Sequence, residues 1–302
     1  MRLSQLATLS CAMMCAQPAL AQAQGDKDAP SDPSRDIVVT GQVQTPAAVR
    51  QQASAITQNV GEKYKVPLAQ FQEPVCPGIV GMPAGVAEVM IARIRSNAEV
   101  VGIPVATEGK CEPNIMVFFV PDGQQTIKAL QNRRSDLFRS MSTRDLTRLA
   151  GEPGPVHAWV NTVTRSRHGD KLRGDETELG NPPTLYVANS HSHMWLASRV
   201  DIASSVVMLD LKAVHGMSAV QLADYATMRS FAQTRAAVGG NNVGTILGLF
   251  DAGGAKPMEM TDFDIAYLRA IYHSASNINA VSKLGHIDGE LRKQRAEREA
   301  GE

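Results

Sequence analysis

Two histidines one residue apart, His191 and His193 in "SHSH", are the most metal-like feature of this chain. In an extended segment they point to one face, because side chains alternate across a strand. His157, in a second strand-like run, is the candidate third ligand. Neutral imidazole is a common zinc ligand, and catalytic zinc takes three protein ligands and a water. An H-x-H pair also arises by chance, and no acidic residue is tied to this one. Two surface histidines near a strand end are the simpler reading, so no metal and no cofactor are expected.

Other catalytic signatures are absent. Zinc peptidases carry H-E-x-x-H on a helix after a strand pair. The corresponding helix here reads "SAVQLADYATM", and no histidine occurs between Ser218 and Tyr272. Ser218 and Gln221 instead have capping-box spacing, with Leu222, Tyr225 and Ala226 as the buried stripe. Gly239, Gly240, Gly244 and Gly248 are not followed by Gly-Lys-Ser/Thr, so "VGGNNVG" reads as a turn rather than a phosphate cradle. No G-x-S-x-G elbow occurs. No catalytic residue is assigned.

The N-terminus points to export. Arg2 is followed by an uncharged, mostly apolar run from Leu6 to Leu20, then "ALA" and "AQA". This is the pattern of a cleaved signal peptide, residues 1–21. It is too short for a membrane anchor, and no later stretch is long and apolar enough to span a bilayer. Removing Arg2 leaves 29 basic against 30 acidic residues, a net charge of −1. That balance argues against a nucleic-acid binder, which needs a basic face. Of the four cysteines, Cys11 and Cys15 leave with the signal. Cys76 and Cys111 remain, and in an oxidising compartment they are expected to form a disulfide.

These residues need elements to position them. Residues 22–62 lack aromatics and read as a disordered leader, with residues 63–298 as one domain. Val86, Met90, Ile94 and Ala98 recur every fourth residue and predict a helix over Gly85–Val101. "NIMVFFV" (Asn114–Val120) reads as a buried strand. Asp122 caps a helix to about Arg133, and Ser142 with Asp145 caps a short one. "VHAWVNTVT" (Val156–Thr164), "TLYVAN" (Thr184–Asn189) and "SSVVMLDL" (Ser204–Leu211) are further strands, and the charged stretch between the first two is a long exposed loop. Helices follow from Ser218, from Thr261, and from about Asn277 into "ELRKQRAERE". This order predicts an α+β domain with one mixed or antiparallel sheet of about four strands and flanking helices.

Two resemblances add to this reading. "DIVVTGQ" (Asp36–Gln42) is a strand-former inside an otherwise unstructured segment. It resembles the TonB box of TonB-dependent outer-membrane receptors, although the chain is far too short for their barrel of 22 strands. The resemblance implies that Asp36, Ile37, Val38, Val39, Thr40 and Gly41 bind a TonB-like envelope protein. From Tyr64 onward, "PLAQFQEPVCPGIVGMP", "CEPNIMVFF", "SSVVMLDLKAVHGMSAVQLADYATMR" and "MTDFDIAYLRAIYHSAS" resemble uncharacterised exported proteins of Gram-negative bacteria. The element order is also similar to zincin-like domains, without their metal motif, by analogy alone. The expected function is therefore a non-enzymatic periplasmic or secreted accessory domain acting through protein contacts. The alternative is a hydrolase, zinc-dependent through His157, His191 and His193.

Overall fold

In the computed structural model of this chain, the described residues are 45–58, 66–131, 133, 135–174, 181–185, 195–236, 244–251 and 256–301. The chain divides into two units, Met1–Gln42 and Val43–Glu302, and the elements below belong to the second. Strands β1 (Pro77–Val80), β2 (Ile115–Val120), β3 (Val156–Ser166) and β4 (Ser198–Asp210) form one mixed sheet in the order β1-β2-β4-β3. β1, β2 and β4 are parallel, and β3 is an antiparallel edge strand. The helices are α1 (Pro46–Ile56), α2 (Ala84–Val100), α3 (Gly123–Gln131), α4 (Thr143–Gly151), α5 (Ala219–Phe231), α6 (Asp262–Tyr272), α7 (Ala280–Gly285) and α8 (Ile287–Gly301). This is the α+β arrangement expected, with its four-stranded mixed sheet.

Period-two alternation divides the strands between two cores. Ile115, Val117 and Phe119 of β2, with Val207 and Leu209 of β4, face the larger core with α2, α5 and α6. Met116, Phe118, Val206, Met208 and Trp159 face a smaller one with Ile127 of α3 and Leu149 of α4. Trp159 stacks on Phe138 at 5.0 Å between ring centroids. Its Nε1 donates to Leu137 C=O (2.7 Å).

The expected caps close the helices. Ser218 Oγ accepts from Gln221 N–H (3.1 Å), and Gln221 Oε1 accepts from Ser218 N–H (3.0 Å). Thr261 and Asp264 do the same for α6. Asp122 Oδ1 accepts from Gln125 N–H (2.9 Å), and Ser142 caps α4. α2 carries the predicted stripe, with Met90, Ile94 and Ala98 buried.

Four elements differ from the sequence reading. Pro46–Ile56, within the stretch read as a leader, is helix α1, and Val49, Ala53 and Ile56 bury its one apolar face. β1 is not among the expected strands, and its four residues become a strand by pairing with β2. β4 starts at Ser198, six residues before the apolar run, because β3 supplies partners as far as Ser166. The final helix breaks at His286 into α7 and α8. Of "TLYVAN", Thr184 bridges Arg173, while 186–190 lie outside the described residues. No helix among the described residues is long and apolar enough to cross a membrane.

Cys76 and Cys111 form the expected disulfide, with their Cα atoms 6.2 Å apart. It joins the residue before β1 to the loop before β2. Asn114 supports the same junction: its Oδ1 accepts from Cys76 N–H (2.8 Å) and its Nδ2 donates to Pro74 C=O (3.1 Å). The two cysteines are 35 residues apart. Closing a loop of that size stabilises by about 4 kcal/mol as an upper figure in the chain-entropy model. Cys76→Ser is expected to lower the denaturant midpoint by a large part of that amount, and reduction of the wild type to match it. Equal stabilities of the oxidised and reduced protein would overturn this.

Candidate binding cleft

β3 is an edge strand, so one side of its backbone has no ladder partner. Which residues face outward follows from the hydrogen bonds at its ends. Asp210 N–H donates to Pro155 C=O (2.9 Å), placing odd-numbered residues toward β4. Ser166 N–H instead donates outward to Asp170 C=O (2.9 Å). Even-numbered residues therefore turn their backbone away from the sheet. Among the described residues, no backbone group meets the N–H groups of Ala158 and Val160 or the Ala158 C=O.

This free edge forms the floor of an open cleft of about 760 Å³, lined there by Ala158, Val160 and Thr162. One wall is α4 with its flanking turns: Ser140, Met141, Asp145, Arg148 and Glu152. The other is built from the segments that follow α1 and α5, through Gln58, Gln233 and Arg235. Those segments are tied as a short ladder. Gln58 N–H donates to Gln233 C=O and Arg235 N–H to Ile56 C=O, both at 2.8 Å. Gln58 Nε2 adds a bond to Thr234 C=O (2.7 Å). The charged residues lining the cleft balance, Arg148 and Arg235 against Asp145 and Glu152, and Arg148 and Asp145 pair at 3.1 Å within the α4 wall. It suits a ligand held through backbone rather than through net charge.

His157 lies on the opposite face of β3 from Ala158, against α3. Its ring is fully buried and neither nitrogen has a hydrogen-bond partner. A Cβ at Gly123 would sit 2.6 Å from His157 Cδ2 and 3.1 Å from Asp210 Oδ1. Glycine at the start of α3 thus lets the helix approach the imidazole, while Gly123 N–H donates to Asp210 Oδ1 (2.7 Å). Burial lowers the His157 pKa, against the pull of Glu152, Asp210 and Asp122 and with the help of Arg229. The ring is a neutral packing element closed to solvent. His191 and His193, and the leader residues Asp36–Gly41, lie outside the described residues. Among the described residues, no three His, Cys, Asp or Glu side chains group as a metal site.

No protein-family model, curated protein or solved structure matches this chain. The site is therefore read from its own geometry.

Sequence reasoning missed the cleft, because its walls come from segments far apart in the chain. It also missed Lys283, whose Nζ is fully buried with no hydrogen-bond partner. The signal was present: Ala280, Lys283, Leu284 and Ile287 share one helical face. Desolvation lowers the Lys283 pKa from 10.5 to about 7. The folded pKa lies below the unfolded one, so between about 7 and 10.5 the unfolded chain binds a proton that the native state lacks. Stability contributed by this group rises with pH across that window and is lost as pH falls toward 7. Lys283→Met is expected to stabilise the protein at pH 7 by on the order of a few kcal/mol, with the gain shrinking toward pH 10. Urea unfolding at several pH values reads this. A variant less stable than wild type at pH 7 would contradict it.

Proposed function

We propose that this chain is an exported, non-enzymatic accessory domain that captures an extended segment of a partner protein along the outer edge of β3. The observation that supports it is the run of outward backbone groups, the Ala158 N–H and C=O and the Val160 N–H, that no backbone group meets among the described residues and that lies along a cleft floor. An extended peptide satisfies such a row by adding a strand, with affinity from main-chain hydrogen bonds and specificity from alternate side chains. The apparent signal peptide and the Cys76–Cys111 bridge fit an oxidising, periplasmic or secreted location. The experiment is panning of a phage-displayed random dodecamer library on the mature protein. Selected peptides are expected to slow hydrogen exchange at the Ala158 and Val160 amides. They should bind Val160→Pro at least tenfold more weakly, since that change removes an outward N–H while leaving the ladder to β4, and a thermal melt should separate this from the loss of Val160 packing. Peptides that bind while leaving both amides unprotected would overturn the reading.

The leader is the second contact in this proposal. Its "DIVVTG" segment, Asp36–Gly41, has the β-branched pattern of a strand donor and its likeness to a TonB box names the partner class, a TonB-like envelope protein. Titration of a TonB C-terminal domain with a peptide spanning 34–44 is expected to show micromolar binding that Val38→Pro abolishes. Equal signals from the two peptides would remove this contact from the proposal.

A further inference from the structure

The free edge of β3 stops where a short segment crosses it. Ser140 Oγ accepts from Thr162 N–H (3.1 Å) and lies 3.5 Å from Val160 C=O as a donor. These are the two backbone groups a docking strand would engage next after Ala158 and the Val160 N–H. The hydroxyl accepts at Thr162, and its single proton is shared between Val160 C=O and Asn161 Oδ1, so it stands in for a neighbouring strand chiefly at the Thr162 N–H. The segment carrying it is fastened beside the edge by side chains of the same strand. Leu137 C=O accepts from Trp159 Nε1 (2.7 Å) and from Asn161 Nδ2 (3.0 Å). Asn161 Oδ1 accepts from Ser140 Oγ (3.2 Å) and from Ser140 N–H (3.4 Å).

The holding is uneven along the segment. Leu137 and Phe138 are buried, while Arg139 and Ser140 are exposed. Leu137 and Phe138 are anchored in the smaller core and Met141 packs against it from the other side, while Ser140 itself, between them, is held by polar contacts. Such contacts exchange readily for others of the same kind, because each is worth only about 0.5–1.5 kcal/mol net. A partner strand offers Thr162 and Val160 the same bonds with better geometry.

We propose that Ser140 is a displaceable blocker of the β3 edge: it occupies the Thr162 N–H and lies against the Val160 C=O until an extended partner segment takes both. This rests on the strand-capture reading of the cleft and adds to it a register and a competing internal ligand. The partner first pairs at Ala158, where the edge is open. It then extends toward Thr162 as the Ser140 hydroxyl leaves. Arg139, beside Ser140, moves with it.

The test uses Ser140→Ala, which deletes the blocking hydroxyl and leaves the Leu137 anchor in place. Without any peptide, hydrogen exchange at the Thr162 amide is expected to quicken about tenfold, with the inward-facing Asn161 and Val163 amides unchanged. Dodecamers selected on the wild-type protein are expected to bind Ser140→Ala about three- to tenfold more tightly and to restore Thr162 protection. A conservative Ser140→Thr change, which keeps the hydroxyl, should stay within about twofold of wild type. An unchanged Thr162 exchange rate, or a faster rate with no gain in peptide affinity, overturns the blocker. Failure of every selected peptide to protect the Ala158 and Val160 amides of either protein overturns the cleft reading itself, and the blocker with it. Loss of far-ultraviolet helix signal in Ser140→Ala would show that Ser140 holds the fold rather than guarding the edge, and overturns it too.

Discussion

The structure depends on burying one helix almost completely. Every residue of α5 from Gln221 to Phe231 is buried, so its polar side chains have no water to fall back on. Asp224 is the extreme case. Its carboxylate accepts from Arg93 Nε (2.7 Å) and Nη2 (2.8 Å), Asn97 Nδ2 (2.7 Å) and Met260 N–H (2.8 Å). Of the three donor residues, Arg93 and Asn97 are on α2, and Met260 is in the loop that enters α6. A buried charge is tolerated only when paired and hydrogen-bonded, and stripping its partner leaves an uncompensated ion. The Asp224 hydrogen bond raises the Arg93 pKa, as expected for a cation held by that carboxylate. The same few atoms therefore fix α2, α5 and the start of α6 as one layer on the sheet. Thr227 and Ser230 satisfy their hydroxyls within the helix, on Ala223 and Ala226 C=O.

That layer decides where the sheet is open. With α2, α5 and α6 on one face and α3 and α4 on the other, the backbone of the sheet is left open to a partner at its edges. β1 is a short edge whose entry is held by the disulfide and by Asn114. β3 is longer, and its outer end is closed by the turn at Ser166–Asp170. Arg165 and Arg199 both pair with Asp201 near that end, at 3.3 and 2.9 Å. Short edges, charges and local closures are the usual devices against unwanted strand pairing. They leave the Ala158–Thr162 stretch, on the cleft floor, as the part of the edge without a backbone partner, guarded by one serine.

His157 shows how a residue type misleads when its surroundings are unknown. Its place on a second predicted strand made it the candidate third ligand beside His191 and His193. The fold instead presses it under the first turn of α3, where Gly123 makes room for the ring. The helix "SAVQLADYATM" was read correctly as a packing helix, and its capping box is formed. The sequence carries no hint of the Arg93–Asp224 pair, 131 residues apart, because nothing local links the two.

What the sequence determined on its own was whatever is governed by neighbours three or four residues away. The caps at Ser142, Ser218 and Thr261, the α2 stripe, the β2 run and the class of the sheet follow from local hydrogen bonding and side-chain periodicity. The cysteine pair was legible too, because only two thiols remain once an export signal is assumed. Tertiary structure alone decided the rest. "PGIV" is a strand because β2 offers it partners, and Ser198–Ala203 joins β4 because β3 lies opposite. Pro46–Ile56 is a helix with a buried face because the core accepts Val49, Ala53 and Ile56. Lys283 is buried because its helical face is otherwise apolar. The cleft joins residues 58, 140, 158 and 235. Such contacts depend on which surfaces are left to bury after the helices and strands have formed, and that is a property of the assembled chain rather than of any window of it.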